Sequence, residues 1–391
     1  MLDTRGIVAG PELVAESSVS SGAEKVEVSI QMRIGILTYY GIHNHGAVLQ
    51  ANALKTVLDS MGHECGFLEF ERSYENVSQQ QVKKYKLGVG SIPFYLQYLR
   101  EKGIRNIAYN ISKKRKLATF RTKNLPMIGR YEIFDGDLTV IGSDEVFSLE
   151  IGVNPFLYGN GLRAKHVISY AGSFGPTTYE DIQKQNQHEM ISAGLRHMDA
   201  VSVRDQNSQD IISRLAGIKA ELVCDPVILY GYSNEMRAFI PTMKDYILIY
   251  AYDKNLNTAS EYEPIKAYAE KLGLKVVSVG YHHKWCKSVN ADPIELLGWI
   301  RNARLIVTDT FHGAVMSIIC NTPVAVKLRG NQNKLKFLLS EYGLTERIIS
   351  DFTELERVAK QAVDFNVVNS AVQKRRSASM QYLNESLKLC G

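Results

Sequence analysis

The run RLIVTDTFHGAVMSIIC, residues 304–320, decides how the chain is read. Leu305, Ile306 and Val307 form a short apolar run of the kind that makes a buried parallel strand. It stops at Thr308-Asp309-Thr310, turns through Phe311-His312-Gly313, and continues as Ala314–Ile319 with the apolar make-up of a packed helix. His312 therefore stands where a strand ends and a helix begins, the place at which open α/β sheets bind ligands. The first turn of a helix has N–H groups without partners and the positive end of the dipole, so an anion fits there, and Gly313 lets it approach the backbone. A bound anion favours the imidazolium, which suits His312 to give a proton or neutralise charge. The alternative is structural: Asp309 and Thr310 cap the helix, and His312 satisfies a buried carbonyl.

Working outward, the same pattern recurs. Arg33–Leu37 reads as a strand, Tyr39–His45 as a glycine-containing loop, Gly46–Met61 as a helix and Cys65–Phe70 as the next strand, a β-α-β unit. Asn44 and Gly46 in that loop mark either an anion or sugar site or a turn. Leu138–Asp144 is a strand running into a small-residue turn, where Asp144 either faces a ligand or caps a helix. His166–Tyr170 and Ala200–Val203 are strands, Glu180–Leu195 and Gln206–Leu215 helices, the latter capped by Asp205. Arg204, at a strand's carboxyl end, offers a planar fork to phosphate or carboxylate, or pairs with Asp144 or Asp225.

Residues 226–244 read as a hinge. Beyond it come strands at Tyr246–Ala251, Lys275–Val279 and Val324–Val326 and helices at Ala259–Leu272, Pro293–Asn302 and Asn333–Tyr342. The expected organisation is a disordered extension over 1–31, α/β domains over 32–230 and 245–350, and a helical segment over 351–391 that packs back across both. Ser73–Ser91 is expected to be a surface loop or a frayed helix.

With 391 residues, 45% apolar and 22% charged, the chain can bury two sizeable cores. No stretch of about 18 uncharged apolar residues and no secretory leader is found, so the cytoplasm is expected. The five cysteines lie far apart, without metal-ligand spacing, and no metal is expected. The net charge of +5 is local: residues 100–123 hold nine Lys/Arg against one Glu, a patch of +8 that leaves −3 elsewhere. There Ile104, Ile107, Ala108 and Ile111 follow a helical period, predicting an amphipathic helix with a cationic face. It is either a solvated face, a site for a phosphorylated substrate, or a peripheral contact with the inner face of the cell membrane. Too few aromatics interleave with it for nucleic acid.

TDTFHGAVMS resembles the signature of the polysaccharide pyruvyl transferase family, and the likeness extends roughly from Met32 to Ile349. Gly46–Ala51 is similar to the family's GAVLQA helix start, Ser169–Gly175 to its SYAxSFG, and Ser202, Arg204 and Asp205 to its S-x-R-D. Gly142-Ser143-Asp144 matches its GSD, while Glu145, Phe147 and Ser148 depart from the residues that usually follow. The resemblance implies two Rossmann-like domains facing across a cleft, a GT-B-like fold, with a C-terminal helix. It implies transfer of a pyruvyl group from phosphoenolpyruvate, a co-substrate and not a cofactor, onto sugar hydroxyls as a ketal. The acceptor would be a sugar or lipid-linked oligosaccharide of cell-surface polysaccharide biosynthesis. His312 and Asp144 are then the catalytic candidates, and Arg204, Ser202, Gly313, Thr310, Ser143, Asn44 and Gly46 the substrate-binding ones. Thr310 replaces an arginine that some members carry, a role left to Lys327 or Arg329. The competing readings are a GT-B nucleotide-sugar glycosyltransferase and a non-catalytic sugar- or phosphate-binding protein.

Overall fold

The computed structural model describes residues 31–73, 103–330 and 333–391. The extension read over 1–31 and the loop or frayed helix read over 73–91 lie outside these residues, apart from 31 and 73 themselves. Strand β1 (Arg33–Leu37), buried at four of its five positions, pairs in parallel with β2 (Glu64–Glu69) and β4 (Leu138–Ile141). With β3 (Met127–Arg130) and β5 (His166–Ser169) they form a sheet in the order β3-β2-β1-β4-β5. The short parallel pair β6 (Ser202–Val203) and β7 (Glu221–Leu222) continues beyond β5, where Gly172 N donates to Ser202 O at 3.3 Å.

The second sheet consists of β8 (Tyr246–Tyr250), β9 (Lys275–Val279), β10 (Lys287–Val289), β11 (Leu305–Thr308), β12 (Val324–Lys327) and β13 (Ile348–Ile349). Its order is β10-β9-β8-β11-β12-β13, again wholly parallel. In each sheet the winding reverses beside the first strand, between β1 and β4 and between β8 and β11. These are two Rossmann-like units facing across a cleft, a GT-B-like arrangement.

One apolar cluster runs through both units, joined by helices His45–Ser60, Pro226–Tyr230, Pro293–Arg301 and Phe311–Ile319. The C-terminal helix Phe365–Cys390 returns to the first unit, where Tyr382 donates to Ser169 O (2.8 Å) and Ser379 Oγ accepts from Cys224 N (2.9 Å).

Two expectations are corrected. The helix read over 180–195 is broken into Tyr179–Lys184 and His188–His197, because Asn186 takes a left-handed φ of 54° between them. The helix Ile104–Asn124 forms, but its apolar stripe faces outward. Ile104 is 77% and Ile111 50% exposed, whereas Asn106, Lys113 and Leu117 are buried. Lys113 Nζ sits 4.0 Å from the Tyr281 ring centroid and Lys116 pairs with Glu295 at 2.7 Å, so cation–π and ionic contacts with the second unit set the rotation.

Candidate active site

Because both sheets reverse winding at the cleft, the loops after β1, β4, β8 and β11 converge there. The cleft has a volume of about 560 Å³ and is lined by His43, Asn44, Asp144, Tyr250, Asp309, His312 and others. A larger open hollow of about 980 Å³ lies between Gly103–Tyr109 and His282–Ser288.

His312 is in the first turn of helix Phe311–Ile319 and only 7% exposed. Its ring packs on the first unit's Gly46, where a β-carbon would lie 2.1 Å from His312 Cγ. His312 Nε2 is buried without a hydrogen-bond partner, 3.7 Å from Asp225 Oδ2. The first unit answers in kind: His45 Nε2 lies 2.9 Å from the carbonyl of Ala291 in the second. The two similar stretches His45-Gly46-Ala47-Val48 and His312-Gly313-Ala314-Val315 thus meet as opposed helix starts. Burial lowers the His312 pKa, with Asp225 and Asp144 pulling the other way. Gly46→Ala is expected to cost about 1–3 kcal/mol in urea unfolding, through overpacking against His312, and to slow turnover.

Arg204 lies behind this histidine, its side chain 1% exposed. NH2 donates to Asp144 Oδ1 at 2.9 Å and NH1 to Asp225 Oδ2 at 2.7 Å, while the guanidinium carbon stands 4.3 Å from the centroid of the Phe311 ring. NH1 and NH2 of the fork expected to clamp a ligand are thus paired with two carboxylates, while Nε is buried without a partner. Asp144 itself is held at a left-handed φ of 73°. Burial alone would raise its pKa, but Arg204, His312 and Lys334 outweigh that and hold the carboxyl below the usual range.

A second carboxylate is pushed the opposite way. Asp309, 4% exposed at the end of β11, does not cap the helix. Its Oδ2 accepts from Arg329 Nε at 2.7 Å and from Asn255 Nδ2 at 2.5 Å, while Oδ1 is buried without a partner. Burial raises its pKa, and the bonds from Asn255 and Arg329 offset this only in part. Two carboxyls of one cleft whose proton affinities are pushed apart make the pattern of acid–base division. Reading Asp309 as a cap hid it; its place beside Thr310, the true cap, was the available signal.

A model of the polysaccharide pyruvyl transferase family matches residues 44–327. The chain belongs to that family. No curated protein sequence matches significantly. Among solved structures it is similar to the UDP-GlcNAc 2-epimerase of Methanocaldococcus jannaschii, with 12% identity, 88% of this chain and 99% of that one covered, and a TM-score of 0.45. It is similar also to the glycosyltransferase SnogD from Streptomyces nogalater, with 13% identity, 93% and 100% covered, and a TM-score of 0.45.

Several residues that this pyruvyl transferase family member shares with the family's motifs bond within the scaffold. Ser202 Oγ donates to Ser169 O (2.9 Å) and accepts from Ala171 N (3.2 Å), stitching β6 to β5, and it is fully buried. Ser143 Oγ donates to Gln50 Oε1 at 2.8 Å, also fully buried. Asn44 lines the cleft while its side chain accepts from Gly46 N at 2.9 Å, capping helix His45–Ser60. Thr310 lines the cleft and accepts from Gly313 N at 3.0 Å. That N–H is therefore not open to a ligand, and a β-carbon at Gly313 would lie 2.1 Å from Thr308 Oγ1, so the glycine makes room for threonine hydroxyls. Of Lys327 and Arg329, it is Arg329 that reaches the cleft, held by Asp309 and by Glu261 at 2.6 Å; Lys327 bonds the Ser350 carbonyl. Lys334, paired with Glu145, also lines the cleft. Tertiary structure also gathers ligand atoms of His166, Asp199 and Cys390 within 4.8 Å, a set invisible in their spacing, with His166 Nδ1 3.3 Å from Asp199 Oδ1.

Proposed function

We propose that the chain transfers the pyruvyl group of phosphoenolpyruvate to two hydroxyls of one sugar of a cell-surface polysaccharide or its lipid-linked precursor. The observation that carries this reading is family membership over 44–327, together with His312 at the meeting of the two switch points. Protonation of the donor's methylene carbon makes C2 cationic, and a first sugar hydroxyl adds there and loses its proton. Cleavage of the C2–O bond releases phosphate and regenerates the cation, and the second hydroxyl closes the ketal. Of the two hydroxyl protons, one replaces that given to the methyl carbon and the other leaves on phosphate.

His312 supplies the first proton, because a neutral buried imidazole becomes cationic when an anion enters beside it. Asp144, ionised and a poor proton acceptor, holds and orients an acceptor hydroxyl. Asp309 takes the proton released. Lys334 and Arg329, exposed by 19% and 29%, exchange their carboxylate partners for the donor's anionic groups.

Calorimetric titration tests this. Phosphoenolpyruvate is expected to bind with uptake of a proton near pH 7, read as a dependence of the heat on buffer ionisation enthalpy. The sign follows from His312: its pKa is low in the free protein and rises with the bound anion, so binding draws in a proton and weakens as pH rises. Binding of UDP-hexoses and not of phosphoenolpyruvate would overturn the donor assignment.

A further inference from the structure

The outward apolar stripe of helix Ile104–Asn124 is the feature that the proposed chemistry leaves unused. At about 100° per residue, Ile104, Ala108, Ile111 and Arg115 fall within an arc of about 60°. Arg105 and Lys123 lie about 90° to one side of it and Lys114 about 90° to the other. All of these are exposed, whereas the opposite side, with Asn106, Lys113 and Leu117, is buried. The helix carries seven Lys/Arg and no Asp/Glu, and among the described residues no carboxylate pairs with Arg105, Lys114, Arg115 or Lys123. Exposing isoleucine while burying a lysine runs against the hydrophobic effect, unless the exposed side has an apolar occupant.

We infer that this helix lies in the surface of an anionic lipid membrane, with Ile104, Ala108 and Ile111 entering between the headgroups. The flanking cations sit where phosphates lie, the geometry of an interfacial helix whose long side chains reach back to the polar layer. A second copy of the chain is the poorer occupant, because pairing two such helices sets cations against cations without a carboxylate between them. The contact stands beside the cleft: Lys113 packs on Tyr281, and burial together with the cations of Arg121, Lys114 and Lys113 lowers the pKa of His43, Tyr281 and His43 both being cleft-lining. The inference rests on the helix alone and not on the donor chemistry.

Flotation of the full chain with vesicles tests it without any substrate. The protein is expected to float with phosphatidylcholine vesicles containing phosphatidylglycerol, not with phosphatidylcholine alone, and to be released by salt near 1 M, where the screening length is about 3 Å. Lys114→Gln/Arg115→Gln is expected to weaken partitioning about fivefold per charge. Ile104→Asp/Ile111→Asp is expected to abolish it, with circular dichroism and thermal midpoint unchanged because both sites are exposed. The inference is overturned by failure to float with anionic vesicles, or by flotation that survives Ile104→Asp/Ile111→Asp. A dimer in equilibrium sedimentation that this double variant dissociates would assign the stripe to self-association instead.

Discussion

Replacing His312 with alanine is expected to lower phosphate release from phosphoenolpyruvate and acceptor by about 10²–10⁴-fold, the usual contribution of a general acid. His312 is buried at the cleft 3.7 Å from Asp225, whereas His43, the other histidine lining it, is exposed. His45 is equally buried, but its Nε2 bonds the Ala291 carbonyl, and burial with nearby Lys113 drives its pKa down to about 3. Fold should survive the change, since Asp225 keeps its 2.7 Å bond to Arg204. His312→Gln fills the same space without the acid and should be as inactive, which separates chemistry from packing. Full activity of the alanine variant would remove His312 from the reaction.

Arg204→Leu is expected to be the most destabilising single change at the site. It leaves Asp144 and Asp225 buried without their counter-ion, a cost of about 3–5 kcal/mol in urea unfolding at pH 7. Lysine should not restore it, since one ammonium cannot meet two carboxylates as a planar fork does. The pH dependence provides an independent check. Asp144 has a lowered pKa in the folded wild type, so its stabilisation is complete above the unfolded carboxyl's value of about 3.9 and is lost as pH falls through the lower folded value. In the variant, burial acts without the guanidinium, the folded pKa rises, and the penalty shrinks as the pH is lowered towards it. A loss under about 1 kcal/mol would mean that the three side chains behave as a solvated cluster.

The parallel strands were legible because they are buried on both faces and carry near-continuous apolar runs: β8 reads YILIY and β11 LIVT. Lys275–Val279 was placed to the residue, bounded by Gly273 and Gly280. The edge strands β3 and β10 were not seen, since they are short, half exposed and have no apolar run to mark them. At the site, His312, Asp144 and Thr310 could be placed at strand ends from local pattern alone. The occupation of Arg204 by Asp144 and Asp225 could be given only as an alternative, because the partners lie 60 and 21 residues away.

The sequence by itself determined most of the strands and helices and their order, the cap at Asp205, and the family, because these depend on the spacing of neighbouring residues. Only the tertiary structure decided what each polar group does. The apposition of the two sheets' winding reversals set Gly46 against His312, paired Arg204 with two buried carboxylates, and pushed Asp144 and Asp309 to opposite proton affinities. It also decided which side of helix Ile104–Asn124 faces water, since the contacts of Lys113 with Tyr281 and Lys116 with Glu295 come from a different domain. Periodicity shows that a helix has two faces; burial and charge pairing are properties of the assembled interior, and they choose between them.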